Sequence, residues 1–96
     1  MKLESKIEKD FVDDVRDSPY QAIALKLILF VGRGFPDRTI LGCGKIFFIE
    51  FKRPGETLDP PQRKWKKLLK RLGFKVYVCT STKKANKIFI KEMESS

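Results

Sequence analysis

Histidine is absent from the sequence, and cysteine and tryptophan are nearly so. Without His there is no imidazole general base, no His–Asp triad and no His-containing zinc site. Two cysteines, Cys43 and Cys79, are too few for a disulfide framework, and neither has a CxxC partner. Both lie among apolar, strand-forming residues, the setting of small buried hydrophobes in a reducing compartment. No apolar run approaches the ~18 residues that span a bilayer, and no signal peptide is legible, so a soluble, cytoplasmic protein is expected. Any hydrolytic chemistry must therefore rest on carboxylates, Lys and a hard metal ion.

What is present is positive charge, unevenly placed. The 96 residues carry 21 Lys and Arg against 12 Asp and Glu, a net of +9. Residues 1–31 hold five bases and six acids, whereas residues 32–96 hold sixteen and six. A basic surface confined to one part of a fold is the footprint of a nucleic-acid binder, or more simply a solvated surface. The 42% hydrophobic content, with eight Phe, argues against disorder over most of the chain. One lean domain of this size buries somewhat more than ~60% of its unfolded surface, so a second copy would add welcome burial.

Leu3, Ile7, Phe11 and Val15 recur every four residues, predicting a helix from about Leu3 to Val15 that ends before Ser18-Pro19. Ala22 to Val31 is apolar except for Lys26 and reads as a buried strand, with a helical turn at its start as an alternative. Gly32 to Pro36 is a loop. Asp37 to Leu41 is a short strand, Gly42-Cys43-Gly44 turns it back tightly, and Lys45 to Lys52 is a central strand, apolar on both faces at Ile46 to Ile49. A Pro- and Gly-rich loop leads to a second helix that starts at Asp59 or Pro60 and runs to about Leu72, with Gly73 as its cap. On it Trp65, Leu68, Leu69 and Leu72 share an apolar face, which makes Trp65 a core residue rather than a platform for bases. Lys75 to Thr80 is a strand, Ser81 to Ile90 a short last helix, and 91–96 a frayed tail.

Glu50 and Lys52 lie two apart on a strand, so they face the same side, about 6–7 Å apart. Burying them beside Ile46 and Phe48 would be costly without a purpose. A strand end emerging into solvent would carry the same pair freely, and spacing alone leaves the two readings level. Asp37 shifts the balance, because a tight turn sets it against Glu50 at the same end of adjacent strands. Two carboxylates held close repel unless a cation lies between them or one keeps its proton. Oxygen ligands select Mg²⁺, or Mn²⁺, over zinc, and Mg²⁺ takes one or two carboxylates plus phosphate oxygens and water. Lys52 would orient or deprotonate the attacking water, or neutralise charge on the phosphorus; these roles stay open.

Gly34-Phe35-Pro36-Asp37-Arg38 followed by Phe48-Ile49-Glu50-Phe51-Lys52 resembles the virus-type replication-repair nuclease (VRR-NUC) branch of the PD-(D/E)XK superfamily. Pro54-Gly55 and Gln62 fall where that family has a Pro-Gly loop and a Gln opening the next helix. Leu72-Gly73-Phe74-Lys75-Val76-Tyr77-Val78 is similar to its closing helix-to-strand passage, so the resemblance runs from the first helix to Ser81. It implies a Glu on the first helix that reaches the metal. Ile7-Glu8-Lys9-Asp10-Phe11-Val12 resembles the helix carrying this Glu in archaeal Holliday-junction resolvases, which selects Glu8. Glu4 lies on nearly the same face and could substitute, or either is a solvated helix acid. Gln62, three residues before Trp65, points toward the core, where it would hydrogen-bond a metal-bound water, a metal ligand or a phosphate, or simply cap the helix.

The expectation is an α/β protein: a single restriction-endonuclease-like domain over residues 1–96, αβββαβα, with a central mixed sheet flanked by helices. Asp37, Glu50, Lys52, Glu8 and Gln62 would be catalytic, and Asp37, Glu50 and Glu8 would hold Mg²⁺, for which Mn²⁺ could substitute. Arg33, Arg38, Arg53, Arg63, Lys64 and Lys67, with Lys70 and Arg71, would contact phosphates without reading sequence. The resemblance further implies a homodimer of viral or prophage origin that cuts branched DNA such as Holliday junctions in replication, recombination or repair. Competing readings are a flap or restriction-type nuclease of the same superfamily and a non-catalytic DNA-binding module.

Overall fold

Apolar residues at four-residue spacing, Ile7, Phe11 and Val15, are buried along the first helix, α1 (Leu3–Arg16). Ser18 closes it by donating its hydroxyl to Val15 O at 2.7 Å, just before Pro19. The computed structural model describes residues 3–27 and 32–95. After α1 come β1 (Ala22–Leu25), β2 (Arg38–Gly42), β3 (Lys45–Phe51), α2 (Pro60–Arg71), β4 (Lys75–Cys79) and α3 (Thr82–Glu94). This is the αβββαβα order expected, with one mixed sheet ordered β1-β2-β3-β4. Its first two pairings are antiparallel and β3–β4 is parallel, joined through α2.

The β2–β3 register rests on its turn. Gly42 pairs with Lys45, leaving Cys43 and Gly44 as a two-residue loop with φ of 52° and 75°. Two successive left-handed residues match the right-handed twist of the flanking strands. The pairing Arg38↔Ile49 follows, and one step further sets Asp37 beside Glu50.

The two faces of the sheet differ. On one, Ile40, Phe47, Ile49, Phe51 and Cys79 pack against Ile7, Phe11 and Val15 of α1 and Ala85, Phe89 and Met93 of α3. Phe11 stacks at 5.7 Å from Phe51 and 6.1 Å from Phe89. On the other, Phe35 bridges the sheet to α2, edge-on to Phe48 at 5.5 Å and to Trp65 at 5.1 Å.

Four expectations need correction. The strand from Ala22 stops at Leu25, and Lys26 and Leu27 belong to no strand; residues 28–31 lie outside the described residues. The shared α2 face is only partly core: Leu69 is buried, while Leu68 and Leu72 are 39% and 62% exposed, because α2 lies along β4 and leaves the β1–β2 side open. Trp65 is half-buried rather than enclosed. Finally, the frayed tail is helix through Glu94, and its last turn is anchored. Glu92 and Met93 are buried, Lys75 reaches Glu92 at 3.1 Å, Tyr77 donates its hydroxyl to the same carboxylate, and Lys45 donates to Glu92 O and Ser95. Burial alone would raise the Glu92 pKa, but the hydrogen bonds from Tyr77 and Lys75 outweigh it and hold the group below its ordinary value.

Candidate active site

Three elements meet at the C-terminal end of β3. Glu50 is only 4% exposed, on the α2 side of the strand, and Lys52 follows two residues on, its backbone tied to β4 through Cys79 O at 3.0 Å. Asp37 enters from the loop before β2 and is fixed by the Phe51 N–H, 2.7 Å from its Oδ2. Gln62 arrives on the first turn of α2. Its Oε1 accepts from the Asp59 N–H at 2.8 Å and its Nε2 donates to Glu50 Oε2 at 2.9 Å. The capping and functional roles considered for Gln62 are thus one arrangement. Using the amide oxygen to cap the helix aims the amide nitrogen at the carboxylate.

The electrostatics follow from burial and proximity. Glu50 is pushed up to about 8, first by burial, then by the Asp37 charge and the hydrogen bond the two carboxyls share, with Lys52 pulling the other way. Asp37 is also raised, again chiefly by burial, against the Phe51 N–H that favours its charged form. Without a cation the pair retains a proton near neutral pH, as two close carboxylates must.

Glu8 takes a different position from the one expected. Its Oε2 accepts from Arg38 Nε at 2.6 Å and lies 3.4 Å from Lys26 Nζ. It is near enough to Asp37 for its charge to raise that carboxyl, but among the described residues no three His, Cys, Asp or Glu side chains are grouped to hold a metal. Of the expected ligand set, Asp37 and Glu50 share a hydrogen bond, while Glu8 stands beside Asp37 and is held by Arg38. Arg38 is the cause: one residue past Asp37 it points to the opposite face, where it captures Glu8 and donates to Ala24 O at 3.2 Å. Arg38, expected among the phosphate contacts, is thus engaged with Glu8 and Ala24 O. Glu4 instead lies 3.4 Å from Arg53 Nε, with Oε2 buried and without a hydrogen bond.

Of the other cations, Arg53 also pairs with Glu56 at 3.3 Å, and Arg63 donates to Leu58 O. Arg33, Lys64, Lys67, Lys70 and Arg71 are exposed and form no ion pair with other described residues. One contributor was missed in the sequence. Lys26, a lone charge in an apolar stretch, was legible as an exception, yet its partners Glu8 and Asp37 were not. Gly34 is required by packing as well as by its φ of +97°, because a Cβ there would fall 2.5 Å from the Pro61 carbonyl carbon.

Comparison with known proteins gives the family of the chain. The family model described as the VRR-NUC domain matches residues 25–83. "Putative nuclease p44" of Acyrthosiphon pisum secondary endosymbiont phage 1 is 42% identical over 79 residues, covering 81% of this chain and 83% of that protein. A solved structure described as a VRR_NUC domain superposes with a TM-score of 0.81 at 23% identity, over 93% of this chain and 96% of that one. The fold, the phage relative and the matched stretch, which contains Asp37, Glu50, Lys52 and Gln62, agree: the chain belongs to the VRR-NUC nuclease domain family.

Proposed function

We propose that this nuclease domain is a Mg²⁺-dependent DNA endonuclease whose catalytic set is Asp37, Glu50, Lys52 and Gln62. The observation that carries the reading is the buried Asp37–Glu50 pair. Two carboxyls raised by burial and by each other, with a Lys beside them and an amide locked onto one, make a poor structural motif and a good divalent-cation site. The donor set fits Mg²⁺, which takes few carboxylates and completes its shell with water and phosphate oxygens; Mn²⁺ would serve likewise. Asp37 and Glu50 would hold it, and when bound it supplies Lewis-acid polarisation of a phosphodiester oxygen and activation of water. Gln62 keeps Glu50 in the rotamer that faces the site. Lys52 holds its charge where the phosphate must enter, to position the attacking water or to balance the charge that develops on phosphorus. Glu8, held by Arg38, acts on the site through its charge on Asp37.

DNA would approach from the α2 side, where Arg33, Arg63, Lys64 and Lys67 lie, with Arg53 at the rim. The preferred substrate we infer is branched DNA such as a Holliday junction, cut by a symmetric dimer, as the VRR-NUC resemblance implies. The exposed apolar side chains Ile23 and Ile46 on the sheet face that α2 leaves open, with Leu72 and Phe74 at the end of α2, favour such a pairing of copies. The test compares a four-way junction, a flap and a linear duplex, each with Mg²⁺, with Mn²⁺ and with chelator. Metal-dependent cutting, greatest on the junction, is expected. Preference for the flap or duplex would replace the substrate, and no cutting under any condition would leave a DNA-binding module.

A further inference from the structure

Beside the catalytic pair the loop before β2 and the start of α2 enclose a cleft that the reaction so far leaves unused. Its part nearest Gln62, lined by Arg33, Gly34, Asp59, Pro60 and Pro61, has a volume of about 590 Å³. It continues past the shared Arg33, Pro60 and Pro61 to Lys64, Trp65 and Leu68, in a part of about 460 Å³. Both fall within the ~300–1,000 Å³ of small-ligand sites. The walls are fixed rather than collapsible: Gly34 is in contact with Pro61, and Phe35 is wedged between Trp65 and Phe48.

The chemistry of this lining selects its occupant. Two proline rings, an indole and a Leu form an apolar floor suited to the flat face of an aromatic ring. Arg33 and Lys64 stand over it, exposed and without an ion-pair partner among the described residues, against a single lining acid, Asp59. A planar apolar group attached to a negative charge satisfies both halves. In DNA that is a nucleotide, and only an unpaired one, because the faces of a paired base are covered by its neighbours. The cleft opens next to Gln62, whose amide is 2.9 Å from Glu50, so its occupant would lie one nucleotide or so from the bond to be cut. We propose that the Trp65 cleft binds an unpaired nucleotide next to the scissile phosphate, with the base on Trp65 and Pro61 and its phosphate on Arg33 and Lys64. The inference rests on the nuclease reading and supplies a reason for structure selectivity. A flap or single-stranded branch offers unpaired bases at its branch, continuous duplex does not, and a fully paired four-way junction does so only where pairs open at its crossover.

Trp65 is the only tryptophan, so its emission reports on this cleft alone. The wild-type protein is titrated, in chelator to prevent cutting, with a blunt duplex, the same duplex bearing a single-stranded branch, and a short oligothymidylate. Label anisotropy reads binding, and tryptophan emission reads occupancy of the cleft. Binding of all three, with emission quenched about twofold by the branched and single-stranded DNA and unchanged by the duplex, is expected. Trp65→Leu should weaken branched-DNA binding about tenfold and duplex binding less than twofold. Trp65→Phe, which keeps an aromatic face, should retain most of the affinity and serves if the Leu variant folds poorly. Equal quenching by the duplex, or an equal loss on both DNAs, overturns the cleft proposal and leaves the nuclease reading standing. Emission that changes with protein concentration alone would give the cleft to a second copy and likewise overturn it. Absence of binding to any DNA would remove both.

Discussion

Helices α1 and α2 flank opposite faces of the same sheet and differ in almost every respect. Helix α1 buries Ile7, Phe11 and Val15 and answers its own charges: Lys6 pairs with Asp10 at 2.9 Å, and Asp13 with Lys9 at 3.0 Å and Arg16 at 3.3 Å. Helix α2 buries only Leu69, and its Arg63, Lys64, Lys66, Lys67, Lys70 and Arg71 face no acid on the same helix. The difference teaches where stability and binding reside. A helix whose charges are internally balanced and whose apolar stripe is enclosed holds the fold. A helix that leaves cations unpaired and apolar side chains exposed has surface reserved for a partner. Between them, at the end of β3, sits the carboxylate pair.

The sharpest way to test this division is to remove function from one side and structure from the other. Glu50→Ala or Asp37→Ala should reduce cleavage on the order of 10³-fold or more, since several kcal/mol of metal-derived charge stabilisation is lost. DNA affinity measured by anisotropy in chelator should hold, because the metal-free pair already keeps a proton and losing one carboxyl changes its net charge little. A variant that cuts normally would show that the pair is not the site. On the α1 side, Phe11→Ala should destabilise by about 3–5 kcal/mol and, in so small a domain, approach complete unfolding by circular dichroism. Leu72→Ser on α2 should shift the melting temperature little. If Leu72→Ser proved as damaging as Phe11→Ala, α2 would belong to the core after all.

How much of this was legible in the sequence follows from the range of the forces involved. The four-residue stripe of α1, the Gly42–Gly44 turn and the Asp37–Glu50 juxtaposition are local consequences of helix period, loop length and strand register, and all three could be read. The failures were tertiary. Arg38 was grouped with the phosphate contacts because its side-chain chemistry suits them, and its contact with Glu8 was not foreseen. Its orientation toward Glu8 depends on how α1 lies across the sheet, against β1 and β3, which no local pattern encodes. Glu92 looked like part of a polar tail because its partners, Lys75 and Tyr77, come from a strand 15 or more residues away. Trp65 looked like core because a helical stripe states which residues share a face, but not how much of that face the sheet covers.

Arg38 offers the next, smaller effect, since it ties Glu8 of α1 to the start of β2, next to Asp37. Arg38→Met leaves Glu8, whose side chain is 14% exposed, with only the more distant Lys26. A loss of about 1–3 kcal/mol is expected, roughly the value of a partly buried charge left without its hydrogen-bonding partner. Adding Glu8→Gln should recover part of it, and full additivity of the two changes would refute the coupling. Glu50 gives a change of similar or smaller size that depends on pH. Its folded-state pKa, about 8, lies above its ordinary 4.5, so the folded protein holds the proton more tightly than the unfolded chain. Stability of the metal-free protein therefore falls as pH rises from about 4.5 to 8 and levels off above. Glu50→Gln should flatten that decline, and saturating Mg²⁺ should offset it in the wild type. A melting temperature that rises across this window in metal-free wild type, and in which Glu50→Gln changes nothing, would place the shared proton elsewhere.

The smallest effect bears most directly on the two helices. Each phosphate contact to duplex DNA releases condensed counterions, so the logarithm of affinity falls with the logarithm of salt by about 0.9 per contact. Lys67→Ala on α2 should weaken binding by severalfold at low salt and make that slope shallower by about 1, with the same change on every DNA sequence. Lys6→Ala on α1 removes an equal charge, yet Lys6 is already answered by Asp10 on a helix that carries five acids from Glu4 to Asp14. Its slope should be unchanged. Equal slopes for the two variants would mean that binding responds to net charge alone. A difference of one contact would place the DNA on the α2 side, with α1 facing away from it.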